Sequence, residues 1–258
     1  MPNYLPELLA LPLYPLLYLQ GKYVRRVTPR LPEASGPNSG VAHPPGADCD
    51  PVAVPALRLL GIGESPVAGV GVASHEQAIT AQFARALAQQ LDAVVSWQAI
   101  GLNGADLAQA QQVLVPQLPA GTAGIDIALI AFGVNDTTSF RPAARYRAEL
   151  AQLITTVQEK VAPALIILSG VPPIHAFPAL PQPLRFVLGS KARVLDKVSE
   201  ELAAGFANVH YIRMQLDTRD PGLMAEDGYH PSEKGAQAWA SHLAQAMRLS
   251  IGQLVPKK

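Results

Sequence analysis

From residue 57 onward, short continuous apolar runs alternate with longer stretches in which apolar residues recur every three or four positions. The runs are 57–62 (LRLLGI), 94–100, 125–132 (IDIALIAF), 165–171 (LIILSGV) and a weaker one at 209–214. Runs that are apolar at consecutive positions, rather than alternate ones, belong to strands buried on both faces. Between the first two runs, residues 75–91 place Ile79, Phe83, Leu87 and Leu91 at helical spacing. Further helices are predicted near 106–114, 141–160, 184–205 and 233–250. Five strands separated by helices predict an α/β chain: a three-layer α/β/α sandwich around about five parallel strands.

The first 56 residues follow a different rule. Residues 4–19 (YLPELLALPLYPLLYL) are apolar almost throughout, and Lys22, Arg25, Arg26 and Arg30 follow closely. A secretory signal would need a basic start and a small-residue cleavage site, and neither is present. The stretch falls short of the ~20 residues of a membrane span, and Pro6, Pro12 and Pro15 are expected to break it. A cleaved signal is the least favoured reading of this arm, and two others lead. Leu5, Leu8, Leu9, Leu13, Leu16, Leu17 and Leu19 pack on the main domain, or residues 4–30 make peripheral contact with a membrane surface. Residues 31–56 lack periodicity and read as a Pro/Gly-rich linker or wrapping segment. The expected division is therefore an arm and connector over 1–56 and one catalytic-sized domain over 57–258, in a cytoplasmic chain that is at most membrane-peripheral.

Composition narrows the function classes. The chain has 258 residues, with 20 Lys and Arg against 20 Asp and Glu. That balance removes the electrostatic attraction behind most nucleic-acid binding. At 49% hydrophobic residues the chain is too apolar to be disordered. One cysteine, Cys49, excludes an internal disulfide framework and a Cys-rich zinc site. The histidines show no metal-ligand spacing, so no metal and no cofactor is expected.

In parallel sheets the ligand site lies at the carboxyl ends of the strands. The first run ends in Gly61-Ile62-Gly63-Glu64-Ser65-Pro66-Val67, which fails the dinucleotide, phosphate-loop and G-x-S-x-G patterns. What remains is a serine at the mouth of a sheet. The second run leads into Gly101-Leu102-Asn103-Gly104, the third into Gly133-Val134-Asn135-Asp136, and the last loop before the final helix is Asp227-Gly228-Tyr229-His230-Pro231. Each block alone reads as turn punctuation.

Together, and in this order, the blocks resemble the SGNH/GDSL hydrolase superfamily over residues 57–250. Gly133 to Asp136 meets its G-x-N-D block, and Asp227, His230 and Pro231 meet its D-x-x-H-P block. Glu64 stands where the family usually has Asp, and the usual role of that Asp is not carried over to it. The resemblance implies a flavodoxin-like sheet and a serine hydrolase. Ser65 would be the nucleophile, His230 its base, and Asp227 the carboxylate that orients the imidazole. It implies an oxyanion hole from the Ser65 and Gly104 backbone N–H groups, with Gly101 second to Gly104, and from the Asn135 side-chain amide. Asp136 is expected to brace its loop.

The loop 172–183 holds five prolines beside apolar side chains. It is expected to wall the substrate pocket through Ile174, Phe177 and Leu180, with His175 as a polar rim residue. The leading expectation is cleavage of small, fairly apolar carboxylic esters through an acyl-enzyme. Lysophospholipase or thioesterase activity, carbohydrate deacetylation, and a non-catalytic binding module on the same fold are the alternatives. The sequence sets no oligomeric state.

Overall fold

The computed structural model describes residues 4–46, 56–119, 124–215, 217 and 220–252. Cys49 and most of the connector around it lie outside these residues. The strands are β1 (Ser39–Ala42), β2 (Leu57–Gly63), β3 (Val95–Gly101), β4 (Ile127–Ala131), β5 (Leu165–Ser169) and β6 (Val209–Ile212). The helices are α1 (Leu5–Val27), α2 (Ile79–Leu91), the single turn α3 (Leu107–Gln109), α4 (Val134–Thr138), α5 (Ala143–Val161), α6 (Leu184–Ala203), α7 (Glu233–Ala246) and α8 (Arg248–Gly252).

One sheet runs in the order β1-β3-β2-β4-β5-β6. Strands β2 to β6 are parallel, and among themselves they follow the flavodoxin-like order, reversing direction between β2 and β4. Both sheet faces are buried, as the continuous apolar runs require. Leu60 and Ile62 of β2, with Ile130 of β4 and Leu168 of β5, face a core shared with α5 and α6. Leu57 and Leu59, with Leu129 and Ile167, face the opposite core, filled by Phe83 and Leu87 of α2 and Trp239 and Leu243 of α7. The three layers are those expected.

The N-terminal region departs from expectation twice. Residues 39–42, read as connector, form a sixth strand, antiparallel to β3 at the sheet edge. The stretch before it wraps the back of the Ser65 loop: Ala34 N–H donates to Ala68 O and Ser35 N–H to Ala73 O. Second, Pro12 and Pro15 do not break α1, which is continuous over 23 residues. Pro6 lies in the first turn, where no N–H partner is needed. Pro12 and Pro15 are exposed, so the carbonyls they leave unbonded face water.

Helix α1 is fixed to the core along one face. Leu17 and Val24 are buried there, with Ala10 and Leu13 partly covered. Lys191 of α6, fully buried, pairs with Glu7. Gln20 closes the start of α6: its Oε1 accepts Leu184 N–H at 3.1 Å, and its Nε2 donates to Gln182 O at 2.7 Å. The opposite face, with Leu8, Leu11, Leu16 and Leu19, is exposed. Leucine packing on the main domain therefore holds for Leu13 and Leu17 and fails for Leu8, Leu16 and Leu19. The side chains of Leu5 and Leu9 lie outside the described residues. Among the described residues, no helix is long and apolar enough to cross a membrane.

Candidate active site

The strand reversal between β2 and β4 leaves a crevice at their carboxyl ends, and the loops that follow meet around it. Ser65 begins a tight turn after β2, closed by Val67 N–H to Glu64 O and Val70 N–H to Ser65 O, both at 2.9 Å. Its hydroxyl lies 3.1 Å from His230 Nε2. His230 Nδ1 lies 2.6 Å from Asp227 Oδ2. A carboxylate only accepts, so Nδ1 carries the proton, and the bare Nε2 accepts from the Ser65 hydroxyl.

The Asp227 carboxylate has two tasks. Its Oδ1 accepts the backbone N–H groups of Tyr229 at 2.9 Å and His230 at 3.0 Å, which builds the turn. Its Oδ2 orients the ring. Burial pushes the Asp227 carboxyl upward. The hydrogen bonds from the His230 side chain and the two backbone groups outweigh burial and hold it below its ordinary value. It stays ionised and can stabilise an imidazolium. Ala225 N–H to His230 O at 2.8 Å closes the loop onto itself, and Ser232 Oγ caps α7 by accepting Gly235 N–H.

Two backbone N–H groups of the loops after β2 and β3 are left unengaged. Among the described residues, those of Ser65 and Gly104 donate to no protein acceptor. Gly104 has φ +78°, and a side chain there would stand in open space, so the glycine serves the left-handed backbone. Gly101 serves packing, because a Cβ there would lie 2.2 Å from Ala68 N. The two glycines are thus needed for different reasons, Gly104 for its backbone angle and Gly101 for close packing. The neighbouring Asn103 N–H is held by Glu33 Oε1 at 3.0 Å, so the wrapping segment braces this loop.

Asn135 differs from the expectation. Its side-chain Nδ2 donates to Glu64 Oε2 at 2.6 Å and to Ala105 O at 3.1 Å, which engages both amide hydrogens. It faces the opening without a free donor. Glu64 also accepts Val134 N–H at 2.9 Å and Asn135 N–H at 3.1 Å, capping the first turn of α4 from a distant point in the chain. Sequence reasoning assigned Glu64 no role, yet its carboxylate ties the nucleophile turn to the Asn135 turn. Burial pushes this carboxyl up to about 7 against the pull of its three donors. Asp136 braces its loop as expected. It is fully buried, accepts from Arg141 Nε at 3.1 Å and from Leu107 N–H at 3.3 Å, and burial raises it to about 6.

Two cavities meet at His230 and Tyr229. A pocket of about 50 Å³ lies behind Ser65, lined by Phe132, Phe177, Met214, Met224 and Trp239 among others. A groove of about 920 Å³ runs away on the other side, between α1 and the 138–140 and 180–188 segments. Phe177 lines the pocket and Leu180 the groove, as the Pro-rich loop was expected to do. Ile174 and His175 line neither. Ile174 points into the core and is completely buried, while His175 is exposed and its backbone lies against Gly189 of α6. Tyr229 was missed: its ring packs edge-on against Phe177 at 5.2 Å and against His230 at 5.3 Å, so it separates the two cavities.

With this geometry in place, comparison with known proteins gives a consistent answer. The model of the GDSL-like Lipase/Acylhydrolase family matches residues 62–238, more than half of the chain. No curated protein matches it in sequence. A carbohydrate esterase family 2 enzyme with a carbohydrate-binding domain, from Corynascus thermopiles (Myceliophthora fergusii), superposes with TM-score 0.58 and 15% identity, covering 78% of this chain and 68% of that one. A lipase/acylhydrolase from Enterococcus faecalis gives 0.53 and 23%, covering 78% and 99%. Phospholipase A1 from Streptomyces albidoflavus gives 0.54 and 16%, covering 73% and 98%. At these identities the likeness is one of fold; the family match carries the assignment. The chain belongs to the GDSL-like lipase/acylhydrolase family.

Proposed function

We propose that the chain is a serine carboxylic ester hydrolase acting through an acyl-enzyme, on esters that carry one extended apolar arm. The observation that carries the chemistry is the line Ser65 Oγ–His230 Nε2 at 3.1 Å and His230 Nδ1–Asp227 Oδ2 at 2.6 Å. His230 takes the Ser65 proton as Oγ attacks the carbonyl carbon, then returns it to the leaving alcohol. The Ser65 and Gly104 N–H groups receive the oxyanion. Asn135 adds its amide once a substrate oxygen displaces Glu64 or Ala105 O as its partner. Water then repeats the sequence and releases the acid.

The two cavities set the reading of substrate. A pocket of about 50 Å³ accepts a small group, whereas a groove of about 920 Å³ lined by Leu11, Tyr14, Leu17, Phe140, Leu184 and Leu188 accepts a long one. That apolar lining, running beside the cations of Lys22 and Arg25, supports amphiphilic esters, including lysophospholipid-like ones. The test is a series of p-nitrophenyl esters from acetate to palmitate. We expect kcat/KM to rise with chain length, and Ser65→Ala to lower kcat by about 10⁴-fold or more. Equal turnover by Ser65→Ala, or a preference for acetate alone, would sink the proposal.

A further inference from the structure

Helix α1 is apolar nearly all round, and a helix of that kind is normally covered on every side. Here only one face is covered. Leu17 and Val24 turn toward α6, while Tyr4, Leu8, Leu11, Leu19 and Tyr23 on the opposite face are each more than 60% exposed. This face continues into a cationic end formed by Lys22, Arg25 and Arg26 in the last turns and Arg30 just beyond, all exposed. Glu7 is the one acidic residue from position 4 to 30, and it turns inward to Lys191. Four of the chain's seven tyrosines stand on this helix or at its start, a residue enriched where apolar and aqueous phases meet.

We infer that the outer face of α1 docks on an anionic lipid surface. The apolar turns would lie among the upper acyl chains, with the helix axis in the plane of the layer and the four cations among the headgroups. A second copy of this chain fits less well. A two-fold interface sets the same patch against itself, and this patch offers its cations no carboxylate. The docked orientation also gives α1 a second use, since its Leu11, Tyr14, Tyr18, Lys22 and Arg25 line the groove that reaches His230. An ester leaving the layer beside α1 would enter that groove without crossing water. This consequence rests on the esterase reading, but the docking does not.

The experiment is vesicle flotation with the full chain carrying Ser65→Ala, so that binding is read without turnover. Vesicles are phosphatidylcholine alone, or phosphatidylcholine mixed with phosphatidylglycerol. The protein should float with the mixed vesicles, far less with the neutral ones, and lose binding as salt is raised. Leu8→Ser combined with Leu19→Ser should abolish flotation. Arg26→Gln should weaken it about fivefold. None of these three side chains lines the groove, so the same substitutions in the wild-type background should leave p-nitrophenyl butyrate hydrolysis and melting temperature unchanged. Flotation that is absent with both vesicles, or indifferent to Leu8→Ser/Leu19→Ser, would overturn the inference. So would a dimer in sedimentation that these two substitutions convert to monomer, which would make the face an interface between copies. Failure of the ester series with intact flotation would instead reject the esterase reading alone.

Discussion

On one side of His230 lies a pocket of about 50 Å³ walled by strand ends and the 223–239 segment; on the other lies a groove of about 920 Å³ whose far wall is α1. Apart from Trp239, the pocket's lining falls within the family-matched residues 62–238, while the groove's α1 wall lies outside them. The difference is also one of construction. The pocket is lined by residues at the carboxyl ends of β4 and β5 and by the loops that follow β2, β5 and β6. The groove depends on one helix attached through Leu17, Val24, Gln20 and the ion pair of Glu7 with buried Lys191. On the proposed function, chemistry and substrate grip would rest on separable parts of the chain.

Three substitutions probe that separation. The largest effect belongs to the core. Asp227→Asn can keep the turn, because the side-chain oxygen still accepts from Tyr229 and His230, but it presents an amide donor to His230 Nδ1 and so favours the wrong tautomer. We expect kcat to fall about 10³–10⁴-fold while chain-length preference stays as in wild type. Steady-state kinetics on the ester series reads both. If chain-length preference shifts as well, the two parts are not separable.

Glu64→Gln tests the tie beneath Ser65. Glu64 has a folded-state value near 7 against an ordinary 4.5, so it holds a proton more readily folded than unfolded. Its contribution to stability is complete below the ordinary value and is lost as pH rises through about 7. Gln does not titrate. Wild type should lose roughly 3 kcal/mol relative to Glu64→Gln across this window, measured by urea unfolding at a series of pH values. A pH-independent difference would mean that the three N–H donors keep the carboxylate charged throughout.

The smallest effect belongs to the helix. Glu7→Ala leaves Lys191 buried without its partner. Breaking such a pair costs about 3–5 kcal/mol when both groups are buried, and about 2 kcal/mol is expected here because Glu7 is one-third exposed. Long-chain esters should lose their advantage while acetate turnover stays within about twofold, since the loss lies away from Ser65. Unchanged chain-length preference would show that α1 holds its place without this pair.

How far these parts could be read from residues alone follows the same divide. Consecutive apolar positions at 57–62, 125–132 and 165–171 announced strands buried on both faces, and they lie where expected. Ser65, Asp227 and His230 were legible because a triad needs fixed residue types on fixed loops. The Glu64 contacts were not, because they join the turn after β2 to the start of α4, 70 residues on, through a longer side chain than the motif specifies. Ile174 and His175 were misplaced because apolar and polar character do not tell which face of a short turn meets the core. Helix α1 was hidden by its prolines, whose cost depends on whether the freed carbonyls face water. Strand β1 has four residues and one buried position, too little pattern to stand out from a loop.

The attachment of α1 has a consequence for how the molecule is made. Glu7 meets a partner 184 residues further along the chain, and Gln20 one 162 residues further. This segment is synthesised well over a hundred residues before its partners and is thus among the last to find its place, although it is strongly apolar. Until α6 has been synthesised, the growing chain carries a sticky helix with nowhere to rest. Expression yield should be governed by that waiting period, which a chaperone or a lipid surface can fill.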